Sequence, residues 1–277
     1  MPGVSGRFGG FPRALAERAR LDRFGDVPVL LAHPDWETPA PVMLWLHGRT
    51  VSKELDPGRY LRWIRAGIAA CAIDLPGHGE RADADLQSPT RTLDVIEHAV
   101  GEIDRVVEAL ADPRFSGIFD LDRVGLGGMS AGGMVTLRRL CDPHPFSCAA
   151  VESTTGWLAE MYRAAGLDGW RGTHAPERIA EVDPMERLDS FQPIPLLVLH
   201  SESDVVVPLA GMRAFVERLG SVYAARGSST ELIEMKTWTT TGAPEEHSGF
   251  GRVGAEAKDV QVEFLSRTLR ARPIAEF

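Results

Sequence analysis

Gly128-Met129-Ser130-Ala131-Gly132 follows directly on the apolar run Val124-Gly125-Leu126-Gly127. The pattern is G-x-S-x-G after a strand and before a helix, an arrangement that lifts a serine hydroxyl above a sheet edge as a nucleophile. Such a turn strains the backbone and tolerates only small neighbours, which Gly128, Ala131, Gly132 and Gly133 supply. A serine hydroxyl is protonated at neutral pH, so it needs a base and a third group to orient that base. Downstream, the segment from Leu199 to Pro208 places Asp204 in a loop after an apolar strand. Farther on, Glu245-Glu246-His247-Ser248-Gly249 places His247 between the next strand and the final helix. Taken singly, Asp204 reads as a loop carboxylate that satisfies backbone donors and His247 as a solvated loop residue. Together with Ser130 they read as a nucleophile, an orienting acid and a base. Glu152 and Glu202 are the rival acids, and Asp204 is preferred for its place just beyond a strand.

The negative oxygen of a tetrahedral intermediate needs donors. Leu46-His47-Gly48-Arg49 offers the backbone amide of Arg49, with Thr50 as its substitute, to act beside the amide of Ala131. A serine nucleophile also selects the electrophile. Attack on a saturated carbon would leave an inert ether, so serine points to carbonyl chemistry in two acyl-transfer steps. The expected substrate is a small-molecule carboxylic ester, held in a pocket that includes Met129, Trp157, Met161 and Trp170. A peptidase, an acyltransferase and an inactive binding protein are the alternative readings.

The elements that must position these residues alternate along the chain. Strands are expected at Val27–Ala32, Val42–His47, Ile68–Leu75, Arg123–Gly127, Ser147–Glu152, Ile194–His200 and Thr230–Lys236. Helices are expected at Arg59–Ala66, Ala131–Leu140, Leu209–Leu219 and Ala255–Leu269. The stripe Leu93, Ile96, Val100, Ile103, Val107 and Leu110 adds another, with Thr92 as its cap. Continuous apolar strands between amphipathic helices imply an α/β protein with a mostly parallel sheet covered on both faces. Residues 153–191 carry no strand signal and are expected to form a cap over the pocket. Residues 1–26 read as an N-terminal extension, 27–270 as one domain and 271–277 as a tail.

The chain has 277 residues, 44% of them hydrophobic, and a net charge of −9, which argues against nucleic acid as a partner. No apolar segment reaches the length of a membrane span, so no membrane partner is expected either. The three cysteines, Cys71, Cys141 and Cys148, suit a reducing cytoplasm better than a disulfide framework. Cys141, His144 and Cys148 offer three ligands where structural zinc takes four, so no metal is expected. Gly77, Gly79 and Ala82 fit the dinucleotide pattern G-x-G-x-x-A, but the following Asp83, Asp85 and Ser88-Pro89 are unsuited to the helix it requires. No cofactor is expected, and the oligomeric state is left open.

His47-Gly48, Asp74-Leu75-Pro76-Gly77-His78-Gly79, Asp122-Arg123-Val124-Gly125, Gly128 to Gly133, Asp204 with Pro208, and His247 together resemble the α/β-hydrolase superfamily over residues 27–270. Within it the chain looks like small serine esterases of the prolyl-oligopeptidase-like and dienelactone-hydrolase-like groups. It departs from the latter in having serine where those enzymes use cysteine. The resemblance implies an eight-stranded, mostly parallel sheet carrying an ester- or amide-hydrolysing triad in the order Ser130, Asp204, His247.

Overall fold

The computed structural model describes residues 10–163 and 174–270. It begins with a short helix α1 (Arg13–Ala16) and an antiparallel hairpin of β1 (Ala19–Phe24) and β2 (Val27–Ala32). Then follow β3 (Ala40–Leu46), α2 (Pro57–Arg65), β4 (Ala69–Ile73), α3 (Thr92–Leu110), β5 (Phe119–Met129), α4 (Ala131–Arg139) and β6 (Cys148–Glu152). Two helices, α5 (Leu158–Arg163) and α6 (Pro176–Val182), precede β7 (Leu196–Ser201), α7 (Leu209–Ala225), β8 (Ile233–Trp238) and α8 (Gly254–Leu269).

The strands form one eight-stranded sheet in the order β1-β2-β4-β3-β5-β6-β7-β8. β2 runs antiparallel to both neighbours, and all pairs from β4 to β8 are parallel. The sheet therefore begins at Ala19. β1 belongs to the domain, which corrects the expectation that residues 1–26 are an extension outside it. Its sequence, Ala-Arg-Leu-Asp-Arg-Phe, is half charged, and pairing with β2 makes it a strand.

Alternation along the inner strands divides the core into two layers. Val42, Leu44 and Leu46 of β3 face the cluster that includes Leu93, Ile96, Val135 and Phe215 of α3, α4 and α7. Met43 and Trp45 face Tyr60 and Trp63 of α2 and Phe264 and Leu265 of α8. α3 buries Leu93, Ile96, Ile103 and Leu110 of the expected stripe, with Val100 and Val107 partly buried. Thr92 does not cap it. The cap position falls on Arg91, while the Thr92 hydroxyl donates to the carbonyl of Pro89 at 2.8 Å.

Between β6 and β7 the described residues hold helices and no strand. Asp183, fully buried, ties this segment together by accepting from the amides of Leu158 and Ala159 at 3.0 and 2.8 Å, which secures the start of α5. Cys141 and Cys148 lie in opposite core layers, and burial pushes both thiols up to about 12. Among the described residues, no helix is long and apolar enough to cross a membrane.

Candidate active site

The residues read as nucleophile, acid and base, with the rival Glu152 and the turn at His47, lie at the C-terminal ends of the parallel strands, where open α/β sheets place their ligand sites. His47 follows β3, Ser130 follows β5, Glu152 ends β6, Asp204 follows β7 and His247 follows β8.

Ser130 joins β5 to α4 at φ 53° and ψ −120°. Its amide donates to the carbonyl of Glu152 at 2.9 Å, and its own carbonyl accepts from Met134 N at 3.0 Å and Thr154 Oγ1 at 2.7 Å. The turn is tight enough that a Cβ on Gly132 would stand 2.3 Å from the carbonyl oxygen of Leu46. The small residue is thus required by the approach of α4 to β3.

A hydrogen-bonded chain runs from this serine. His247 Nε2 lies 2.9 Å from Ser130 Oγ, and His247 Nδ1 lies 2.8 Å from Asp204 Oδ2. Asp204 Oδ1 accepts from the amides of Val206 and Val207 at 2.9 and 2.8 Å. Burial opposes the Asp204 charge, but hydrogen bonds from His200, His247 and the Val207 amide outweigh it and hold its pKa below the usual range. An ionised Asp204 makes Nδ1 the donor, so Nε2 is left to accept from the serine hydroxyl.

His47 organises the opposite wall. Its Nε2 accepts from Leu75 N at 3.0 Å, so its Nδ1 carries the proton donated to the carbonyl of Gly48. Burial brings this imidazole down to about 4 and keeps it neutral. The C=O and N–H of a trans peptide point in opposite directions. Anchoring the Gly48 carbonyl therefore turns the Arg49 N–H away from His47. Neither Arg49 N nor Ala131 N is engaged in a hydrogen bond among the described residues. Gly48 is close enough to the nucleophile that a Cβ there would lie 3.4 Å from Ser130 Cβ.

These groups line a cavity of about 800 Å³ that includes Met129, Ser130, Ala131, Met161, Arg49, Thr50 and His247. Of the four residues expected in a substrate pocket, Met129 and Met161 line it. Trp157, the residue before α5, does not. Trp170 lies outside the described residues.

The rival acids are engaged elsewhere. Glu152, 1% exposed, receives Arg59 Nη1 and Nη2 at 2.6 and 2.8 Å and Gln261 Nε2 at 3.0 Å. Glu202 accepts from Thr237 Oγ1 at 2.8 Å. Arg59 and Glu152 both line the cavity, a feature the sequence reading missed. The partners stand 93 residues apart and carry no local signal.

The glycines of the dinucleotide-like motif serve a turn around a buried ion cluster. Gly79 has φ 56°, and a Cβ there would fall 2.1 Å from the Asp74 carboxylate. Asp74 in turn accepts from Lys53 Nζ at 2.8 Å and from the amides of Lys53 and Glu80. Only a three-residue helical turn, Gly79–Arg81, follows.

The sheet order, the sharp serine turn and the strand-end cavity define an α/β-hydrolase. The prolyl oligopeptidase family matches residues 60–269, and the chain belongs to that family. It is similar to the esterase YjfP of Escherichia coli strain K12, with 26% identity over 66% of this chain and 77% of that one. The crystal structure of TT1662 from Thermus thermophilus superposes with a TM-score of 0.66 at 26% identity, covering 92% of this chain and all of the other. An acylaminoacyl peptidase from Pyrococcus horikoshii shares the fold with a TM-score of 0.72 at 18% identity, over 94% of this chain but 43% of that longer one. The protein is therefore a hydrolase of the serine class.

Proposed function

We propose that the protein hydrolyses carboxylic esters of small molecules through an acyl-enzyme on Ser130. The observation that carries this reading is the unbroken relay from Ser130 Oγ through His247 to Asp204, opening on a cavity. His247 Nε2 takes the hydroxyl proton as Ser130 Oγ attacks the carbonyl carbon, and Asp204 stabilises the imidazolium that forms. The amides of Arg49 and Ala131 receive the developing oxyanion. His247 then protonates the departing alcohol, and water repeats the sequence in reverse to release the acid.

The cavity size suits a small-molecule ligand. Support for ester over amide comes from the relative named an esterase at 26% identity. Three buried free thiols support a reducing, cytoplasmic setting. The test is hydrolysis of 4-nitrophenyl esters of increasing acyl length beside a 4-nitroanilide of matched acyl group. Ester turnover should exceed anilide turnover, and Ser130→Ala should lower it by at least about a thousandfold. Full activity in a folded Ser130→Ala protein would refute the assignment, and a preference for the anilide would make the protein a peptidase.

A further inference from the structure

Arg49 carries a second feature besides its main-chain amide. Its half-buried side chain lies along the cavity wall, donating from Nη1 to Thr92 Oγ1 at 3.1 Å and from Nη2 to the carbonyl of Gln87. Both acceptors are neutral and both residues line the same cavity. Among the described residues no carboxylate lies within ion-pair distance of Arg49, and its buried Nε has no hydrogen-bond partner.

The other interior arginines differ. Arg59 faces Glu152 at 2.6 Å, Arg81 faces Glu102 at 2.6 Å and Arg139 faces Asp104 at 2.7 Å. At Arg49 burial alone acts, lowering its pKa. At Arg59 burial also opposes the charge, but Glu152 and Asp56 outweigh it and raise the pKa. Taking a guanidinium out of water without a counter-ion is costly, and this wall answers it with two neutral acceptors and no opposite charge.

The other charges of the cavity do not change this balance. Glu152 and Asp56 are taken up by Arg59, with Lys258 Nζ also 3.3 Å from Asp56, and Glu245 is exposed to solvent. The wall beside the nucleophile therefore holds a cation prepared for an anion that arrives from outside.

We infer that the preferred substrates are esters bearing a carboxylate, which Arg49 binds while the reacting carbonyl lies against Ser130. This deepens the ester-hydrolase reading and rests on it. The guanidinium is planar and already fixed by Thr92 and Gln87, so it suits a charge-assisted contact to a carboxylate with little further ordering. The contact selects among substrates and leaves the acyl-transfer steps as described.

The experiment compares kcat/KM for two pairs of esters. Mono-4-nitrophenyl glutarate against 4-nitrophenyl butyrate places the carboxylate on the acyl side. 4-Acetoxybenzoate against phenyl acetate places it on the alcohol side. The charged-to-neutral ratio should be high for one pair, which identifies the side, and should fall about tenfold in Arg49→Gln, the scale of one charge-assisted hydrogen bond. Arg49→Lys should keep most of the ratio. Salt should lower it in the unmodified protein.

An equal fall for both members of a pair, or a ratio indifferent to Arg49→Gln, would overturn the inference and leave Arg49 as a loop anchor. Should Arg49→Gln fail to fold, a ratio in the unmodified protein that favours neutral esters and ignores salt overturns it. If no ester is turned over, the ester-hydrolase reading is what has failed. Binding of monobutyl glutarate to Ser130→Ala, followed by saturation-transfer NMR, then decides the anion site separately. Loss of that binding in Ser130→Ala/Arg49→Gln sustains it, and unchanged binding overturns it.

Discussion

Asp204 and Glu152 show how environment assigns different work to two buried carboxylates at neighbouring strand ends. Glu152 meets a bidentate guanidinium and a glutamine amide, so its lone pairs are taken up by structure. Asp204 divides its oxygens, with Oδ1 held by two loop amides and Oδ2 turned to His247. Replacing Asp204 by asparagine would keep the shape while offering an amide N–H to the ring, and the wrong tautomer would then face Ser130. We expect kcat to fall by about four orders of magnitude, the scale of this change in serine proteases, with the melting temperature little altered. Steady-state kinetics and a thermal melt on Asp204→Asn check both halves.

At the scale of elements, the loop between β8 and α8 must hold His247 in place with no more regular structure than two three-residue helical turns, Pro244–Glu246 and Gly251–Val253. Glu246 is its anchor. Its carboxylate accepts from Ser201 Oγ at 2.8 Å, Thr241 Oγ1 at 2.8 Å and the amides of Thr241 and Gly242, tying the loop to the end of β7. These hydrogen bonds, led by that from the Thr241 amide, bring its pKa from 4.5 down to about 2. A carboxyl depressed in the folded state adds stability that is present above 4.5 and lost as pH falls toward 2. Glu246→Gln should therefore melt below the parent protein at neutral pH, and the gap should close between pH 4.5 and 2. Melting curves across that range test it. The same variant should lose activity at neutral pH, because the histidine loop loses its tie to the sheet.

For the whole molecule, the hairpin of β1 and β2 closes one side of the sheet. All six residues of β2 are buried, and four of them are Val or Leu. Deleting residues 1–24 would turn this apolar strand into an exposed edge, a template for pairing between chains. We expect the shortened protein to aggregate, where an extension outside the domain would have been dispensable. Size-exclusion chromatography of the two forms distinguishes these outcomes. The five successive parallel pairings from β4 to β8 bring the ends of β3, β5, β7 and β8 to one edge. Residues 117 positions apart, Ser130 and His247, thereby come within a hydrogen bond.

The residues that the fold brings into one hydrogen-bonded relay were legible in the sequence. Ser130 was marked by the small residues its turn requires, and Asp204 and His247 by loops that follow apolar strands. Six strands were visible as apolar runs between turns, and β8, expected over Thr230–Lys236, begins at Ile233 after a three-residue helical turn. β1 was not visible, because a half-charged segment becomes a strand only through its partner. The tertiary structure also decided what sequence spacing cannot encode. It set the relay distances, placed Met161 but not Trp157 on the cavity wall, and occupied Glu152 with Arg59. It removed Thr92 from the helix cap and made it an acceptor for Arg49. Apart from the bond of the Thr92 hydroxyl to Pro89, three residues back, each of these depends on contacts between segments far apart in the chain. A sequence fixes the donors and acceptors such contacts use, but only packing decides which of them meet.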